Sequence, residues 1–136
     1  MSAEVFLDTN ILVYCFDSTN PEKQNISKEL VARKNWIVSW QVVQEFSSVA
    51  LHKFRTPLKP DDLADYIELR LWPRCRVLPS EAIFQKATTI YNRYGFRFYD
   101  SLIIASALAS GATKLLSEDM QHGQRIDSLE FLNPFV

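Results

Sequence analysis

The sequence predicts an α/β protein, a three-layer α/β/α sandwich around a central parallel sheet. Two observations lead there. Short apolar runs rich in strand formers recur at residues 5–7, 36–40, 75–79, 113–117 and 129–135. The stretches between them carry apolar residues at helical spacing, and strands that alternate with helices pair in parallel beneath helical layers. A chain of 136 residues makes one domain, spanning 1–136, that buries roughly two-thirds of its unfolded surface.

In chain order, Val5, Phe6 and Leu7 form the first strand, which ends at Asp8. Residues 10–16 turn apolar again but allow only one or two helical turns. Asn20 and Pro21 start the next helix as cap and first helical residue, with Ile26, Leu30 and Val31 facing inward. "WIVSW" (36–40) is a buried strand. Residues 41–55 form a helix with Val42, Val43, Phe46, Val49, Ala50 and Phe54 on its core face, and Pro60 opens another with Leu63, Ile67 and Leu71 as its stripe. "CRVLP" (75–79) is the third strand, and Ser80 caps a helix that runs to about Tyr94. "DSLIIASALASG", begun by Asp100 and closed by Gly111, is apolar nearly all round and reads as a buried helix. "TKLLS" and "LEFLNPF" supply the fourth and fifth strands.

Hydrophobic residues make up 47% of the chain and charged residues 23%, with three glycines and six prolines, so a packed core forms without staples and disorder is excluded. No apolar run approaches the ~20 residues of a membrane span, and "MSAEV" lacks a basic region followed by an apolar one; the expectation is a cytoplasmic protein with no membrane partner. Cys15 and Cys75 stand alone in apolar settings and read as buried free thiols. The net charge is −1, so an anionic partner has to be attracted locally, by a basic patch or by bound cations.

Four carboxylates occupy places whose neighbours go inside. Asp8 ends the first strand, Asp119 follows the fourth in "LLSEDM", Asp100 stands in the first turn of the buried helix, and Glu45 borders the apolar face of helix 41–55. Taken singly, Asp100 reads as a helix cap, Asp8 as a turn residue, Glu45 as a rim charge, and one of Glu118 and Asp119 as solvent-facing. Taken together they do not, because a parallel sheet gathers its chemistry beyond the carboxyl ends of its strands. Four acids gathered there repel one another unless a cation neutralises them. An oxygen-only set suits Mg²⁺ or Mn²⁺ rather than Zn²⁺, and such clusters usually work on phosphate.

"VFLDTNILVY", "VVQEF", "FRFYDSLIIASALASGATKLLSEDM" and the closing "LNPF" together resemble a PIN-domain ribonuclease, most nearly a VapC-type toxin of a bacterial toxin–antitoxin pair. The likeness runs through essentially the whole chain in the right order. It implies the PIN-like sandwich, and Asp8, Glu45, Asp100 and Asp119 as the catalytic quartet that binds Mg²⁺ or Mn²⁺. Thr9, Asn10 and Ser117 match its supporting residues, with Asn10 and Ser117 as orienting hydrogen-bond partners. Spacing from Ser117 favours Asp119 over Glu118 as the fourth acid, and Ser101 stands where many relatives carry Ala. The implied reaction is endonucleolytic cleavage of single-stranded RNA to leave a 5′-phosphate. The implied partners are an RNA substrate, an antitoxin covering the groove and a second copy in a homodimer.

Arg97, within the aromatic and basic run "NRYGFRFYD" (92–100), is a candidate RNA contact; Phe96 and Phe98 read as core. His52, seven residues after Glu45 on the same helix face, is a second candidate, near the groove with Lys53 and Arg55. His122 reads as a surface residue, and Trp36, Trp40 and Trp72 as core. A haloacid-dehalogenase-like phosphatase also places an Asp after its first strand, but Asn10 stands where its general acid is required. A non-catalytic nucleic-acid- or protein-binding module on the same fold is the alternative of a different class.

Overall fold

The computed structural model describes residues 4–136; residues 1–3, most of the stretch read above for a leader, lie outside the described residues. Among the described residues six strands form one sheet in the order β3-β2-β1-β4-β6-β5: β1 (Val5–Leu7), β2 (Trp36–Ser39), β3 (Cys75–Val77), β4 (Lys114–Leu116), β5 (Arg125–Ile126) and β6 (Leu129–Leu132). All neighbours pair in parallel except β5, which returns antiparallel to β6. The expected five parallel strands are thus joined by a sixth, two residues long, that no apolar run announces. Asp127, at φ 52°, turns the chain between β5 and β6.

In β1, Phe6 and Leu7 point to opposite faces of the sheet and both are fully buried; all four residues of β2 are buried too. Both faces are therefore covered, which is why these strands read as continuous apolar runs. The covering helices are α1 (Thr9–Tyr14), α2 (Pro21–Ala32), α3 (Trp40–His52), α4 (Pro60–Tyr66), α5 (Glu81–Tyr94) and α6 (Phe98–Ser110). α1 packs on α2 and α3, α3 on α4, and α5 on α6, with α3 and α6 each lying against β2. Two caps foreseen in the sequence are present: Asn20 Oδ1 accepts from Lys23 N and Ser80 Oγ from Ile83 N.

Four local expectations change. Helix α6 begins at Phe98, two residues before the expected start, so Asp100 keeps its place in the first turn but does not cap it. Helix α3 ends at His52, which leaves Phe54 in the following loop. The helix from Pro60 does not stay α: Ile67–Leu71 is a π-helical turn, closed by Trp72 N donating to Ile67 O, and a short 3₁₀ turn follows. Leu63, Ile67 and Leu71 recur every four residues, more than the 3.6 of an α-helix, and the underwound turn keeps Leu71 buried. Among the tryptophans, only Trp36 is core, its Nε1 donating to Val31 O at 2.8 Å. Trp40 and Trp72 are exposed and pack edge to face, 5.3 Å between ring centres.

Both thiols are free but half-buried, less enclosed than expected. Burial still raises them, Cys15 to about 11, so neither is a thiolate at neutral pH. Phe96 and Phe98 are half-buried against the core. Among the described residues no helix is long and apolar enough to cross a membrane.

Candidate active site

From β1 the chain builds outward to β2 and β3, then returns to lay β4 on the other side of β1. The carboxyl ends of β1 and β4 therefore flank the point where strand order reverses, and a crevice opens there. It encloses about 490 Å³, and its walls include Asp8, Glu45, Asp100 and Asp119. The fold thus brings together four acids that are as much as 111 residues apart in the chain (119 − 8).

Asp8 is the deepest of them. Its backbone N donates to Leu116 O at 3.0 Å, which ties the end of β1 to β4. Its Oδ1 accepts from Thr9 N at 2.7 Å as the cap of α1, and its Oδ2 accepts from the Ser117 hydroxyl at 2.8 Å. The fully buried Ser117 Oγ in turn accepts from Asn10 Nδ2 at 3.2 Å and Asp119 N at 3.1 Å. With two donors already aimed at its oxygen, the hydroxyl has its proton free for Asp8 alone. Asn10 binds the two strand ends together: its Oδ1 accepts from Glu118 N at 3.2 Å, and its Nδ2 also reaches Asp119 Oδ2 at 3.3 Å.

Burial raises Asp8 from 3.8 to about 6; the bonds from Ser117 and Thr9 pull it down, and the nearby Glu45 and Asp100 charges push it up. Glu45, half-buried on α3, is raised as well, first by burial, and accepts a 3.4 Å bond from the Thr9 hydroxyl. Asp100 is paired with Arg97, whose Nε donates to Oδ2 at 3.1 Å. Glu118 also lines the cleft, but its Oε1 is held at 3.1 Å by Lys23, which stands over the Tyr14 and Phe135 rings. Asp119, held by Asn10, has no such cationic partner among the described residues.

The donor set suits a hard dication. Every ionisable ligand is a carboxylate, Arg97 is the one cationic side chain among the described cleft residues, and an ion here would relieve the raised Asp8 and Glu45. Among the described residues no three His, Cys, Asp or Glu side chains are gathered tightly enough to hold an ion as they stand. Mg²⁺ keeps several waters and needs only one or two carboxylates, so a loose acidic ring matches it better than it would match Zn²⁺.

Of the other residues singled out from the sequence, Arg97 lines the cleft and His52 does not; the His52 ring nitrogen meets Ser48 O at 3.0 Å. His122 Nδ1 accepts from Asn133 N at 3.0 Å and does not line the cleft. Tyr99, an aromatic of the 92–100 run, lines the cleft, whereas sequence reasoning passed over Val13, Tyr14 and Ile103, all in the cleft wall. Helical spacing was the available signal, since Val13 and Tyr14 stand three and four residues after Asn10, and Ile103 three after Asp100. For Lys23, 95 residues from Glu118, the sequence holds none.

A doubly wound α/β domain with an acidic crevice at its switch point is the class that fold and site define. The family model "PIN domain" matches residues 5–126, and the chain belongs to that family. Among solved structures it is similar to VapBC-1 from nontypeable Haemophilus influenzae (25% identity, 96% of this chain and 97% of that one, TM-score 0.63). A toxin–antitoxin complex from Klebsiella pneumoniae shares the fold at 19% identity, covering 96% of this chain and 98% of that one with TM-score 0.67. So does VapC20 of Mycobacterium tuberculosis, described as a sarcin–ricin loop cleaving toxin, at 17% identity, 82% and 87% coverage and TM-score 0.64. No curated protein sequence matches the chain.

Proposed function

We propose that this chain is a divalent-metal-dependent endoribonuclease that cuts single-stranded RNA, and that it serves as the toxin of a toxin–antitoxin pair. The observation that carries the reading is the convergence of Asp8, Glu45, Asp100 and Asp119 on one crevice around a buried carboxylate. Those four would hold Mg²⁺ or Mn²⁺. When bound, the dication supplies charge for a phosphoryl oxygen and a lowered pKa for the attacking water.

The remaining steps belong to the chain. Ser117 and the Thr9 backbone N–H fix both Asp8 oxygens, so the carboxylate presents one orientation to the crevice. Asn10 locks the β1 and β4 ends together and sets Asp119 beside Asp8. A carboxylate of the quartet accepts the proton of the attacking water. Arg97, exposed at the rim, reaches a phosphate oxygen of the substrate. Water then attacks phosphorus in line, the 3′-oxygen leaves as a hydroxyl after taking up a proton, and the 5′-phosphate stays on the downstream product.

The toxin assignment draws on the solved toxin–antitoxin complexes that share the fold, and an antitoxin would act by covering the crevice. The test is cleavage of a panel of single-stranded and structured RNAs with Mg²⁺, Mn²⁺ or EDTA, comparing wild type with folded Asp8→Asn. Metal-dependent cuts lost in the variant are expected. Cuts that survive both EDTA and the substitution would overturn the mechanism, and metal binding without any cleavage would favour the non-catalytic binding module.

A further inference from the structure

A second cavity, of about 410 Å³, opens beside the acidic crevice and shares Val13 and Val49 with it as a common wall. It lies between the turn that leaves α1 and the segment that leaves α3. A strand passing out of the crevice over Val13 and Val49 enters it directly.

Its chemistry is the reverse of the crevice's. Lys53 and Arg55 line it, both exposed, and neither has a carboxylate partner among the described residues. Asp17, the one acid among its described lining residues, is engaged within its own turn, where Oδ1 accepts from the backbone N (3.0 Å) and the hydroxyl of Thr19. Phe16 stacks on Phe54 with ring centres 5.2 Å apart, meets Tyr66 edge-on at 5.3 Å, and remains 37% exposed toward solvent. The α3 exit segment is firm, because Phe54 N donates to Val49 O at 3.1 Å and Leu58 N to Ala50 O at 3.0 Å. Free cations beside an anchored aromatic ring are what a single-stranded nucleic acid uses: charge for the backbone, a π-face for a base.

We infer that this cavity is a second nucleotide subsite, which receives the single-stranded RNA flanking the scissile phosphate. Lys53 and Arg55 meet its phosphodiesters and Phe16 supports a base. The inference rests on the nuclease reading and answers a difficulty in it: a crevice walled by acids, in a chain of net charge −1, offers a polyanion little attraction beyond the reacting phosphate.

Binding of a labelled 20-nucleotide mixed-sequence single-stranded RNA, in Mg²⁺ and across a salt series, tests it. The parent is Asp8→Asn, so that the strand stays intact. Adding Lys53→Gln and Arg55→Gln is expected to weaken binding on the order of tenfold at low salt and to flatten the slope of log K against log salt by about 1.4, two phosphates at ~0.7 each. Lys34→Gln with Arg76→Gln, in a separate basic hollow at the amino ends of β2 and β3, is expected to leave both unchanged. An unchanged slope in the Lys53/Arg55 variant, or an equal loss in the Lys34/Arg76 control, would overturn the subsite while RNA binding by the parent upheld the nuclease reading. A parent that binds no RNA would overturn both. As a check that needs no substitution at the subsite, photo-crosslinking of 4-thiouridine RNA to the parent is expected to mark Phe16 and residues 53–58; crosslinks confined elsewhere would overturn the subsite.

Discussion

At the scale of single residues, the site is organised around the discomfort of Asp8. A carboxyl that titrates near 3.8 unfolded and about 6 folded keeps its proton longer in the native state. Between those pH values the native protein binds more protons, so this group's contribution to stability is complete below about pH 4 and is lost as pH rises through about 6. The shift is worth about 3 kcal/mol. Urea titrations of metal-free protein are therefore expected to give lower stability at pH 7.5 than at pH 5. A stability that rose over that interval would contradict the buried, uncompensated carboxylate. Ser117 is the counterweight. Ser117→Ala removes the proton donor to Asp8 and leaves Asp119 N without its acceptor; a loss of about 1–3 kcal/mol is expected by urea denaturation, together with weaker Mg²⁺ binding by calorimetry.

At the scale of elements, each acid is delivered by a different device. Asp8 and Asp119 come from strand ends, Asp100 from the first turn of a helix and Glu45 from the second turn of α3. Helix α3 is secured twice, by the Ser39 hydroxyl accepting from Val42 N at 3.4 Å and by its buried face of Val42, Val43, Phe46 and Ala50. Ser39→Ala is expected to cost about 1 kcal/mol in thermal unfolding while leaving RNA cleavage at 25 °C nearly unchanged, because packing still sets the position of Glu45. A large loss of cleavage with little loss of stability would show that the cap tunes the site directly. Gly111 closes α6 at φ 79°, where a side chain is strained, so Gly111→Ala is expected to destabilise by about 1 kcal/mol without touching the crevice.

At the scale of the whole molecule, folding draws the carboxylates together and leaves their repulsion for a ligand to relieve. Any ion that binds the native crevice and not the unfolded chain adds stability, about 2.7 kcal/mol at a hundred times its Kd. Mg²⁺ or Mn²⁺ is expected to raise Tm by several degrees at pH 7.5 and by less at pH 5, where protonated Asp8 is a poor ligand, and to have little effect on Asp8→Asn. Differential scanning fluorimetry reads all three. An equal rise in wild type and variant would move the ion away from Asp8.

Much of this was legible in the chain itself. Strands buried on both faces must be apolar throughout, so β1, β2 and β4 announced themselves, and an ionisable Asp8 and Asp119 just beyond such runs stood out against the cost of burial. Asn20, Pro21, Ser80 and Gly111 marked helix ends because capping is local chemistry. What the sequence by itself determined was therefore the class of fold and the presence of carboxylates where buried elements begin or end. Tertiary structure alone decided that Lys23 holds Glu118, that Trp40 and Trp72 face solvent and that the cavity lined by Lys53 and Arg55 shares Val13 and Val49 with the crevice. Periodicity says which face of an element turns inward, but charge pairing and cavity walls depend on which elements become neighbours, and that is settled only when the whole core closes.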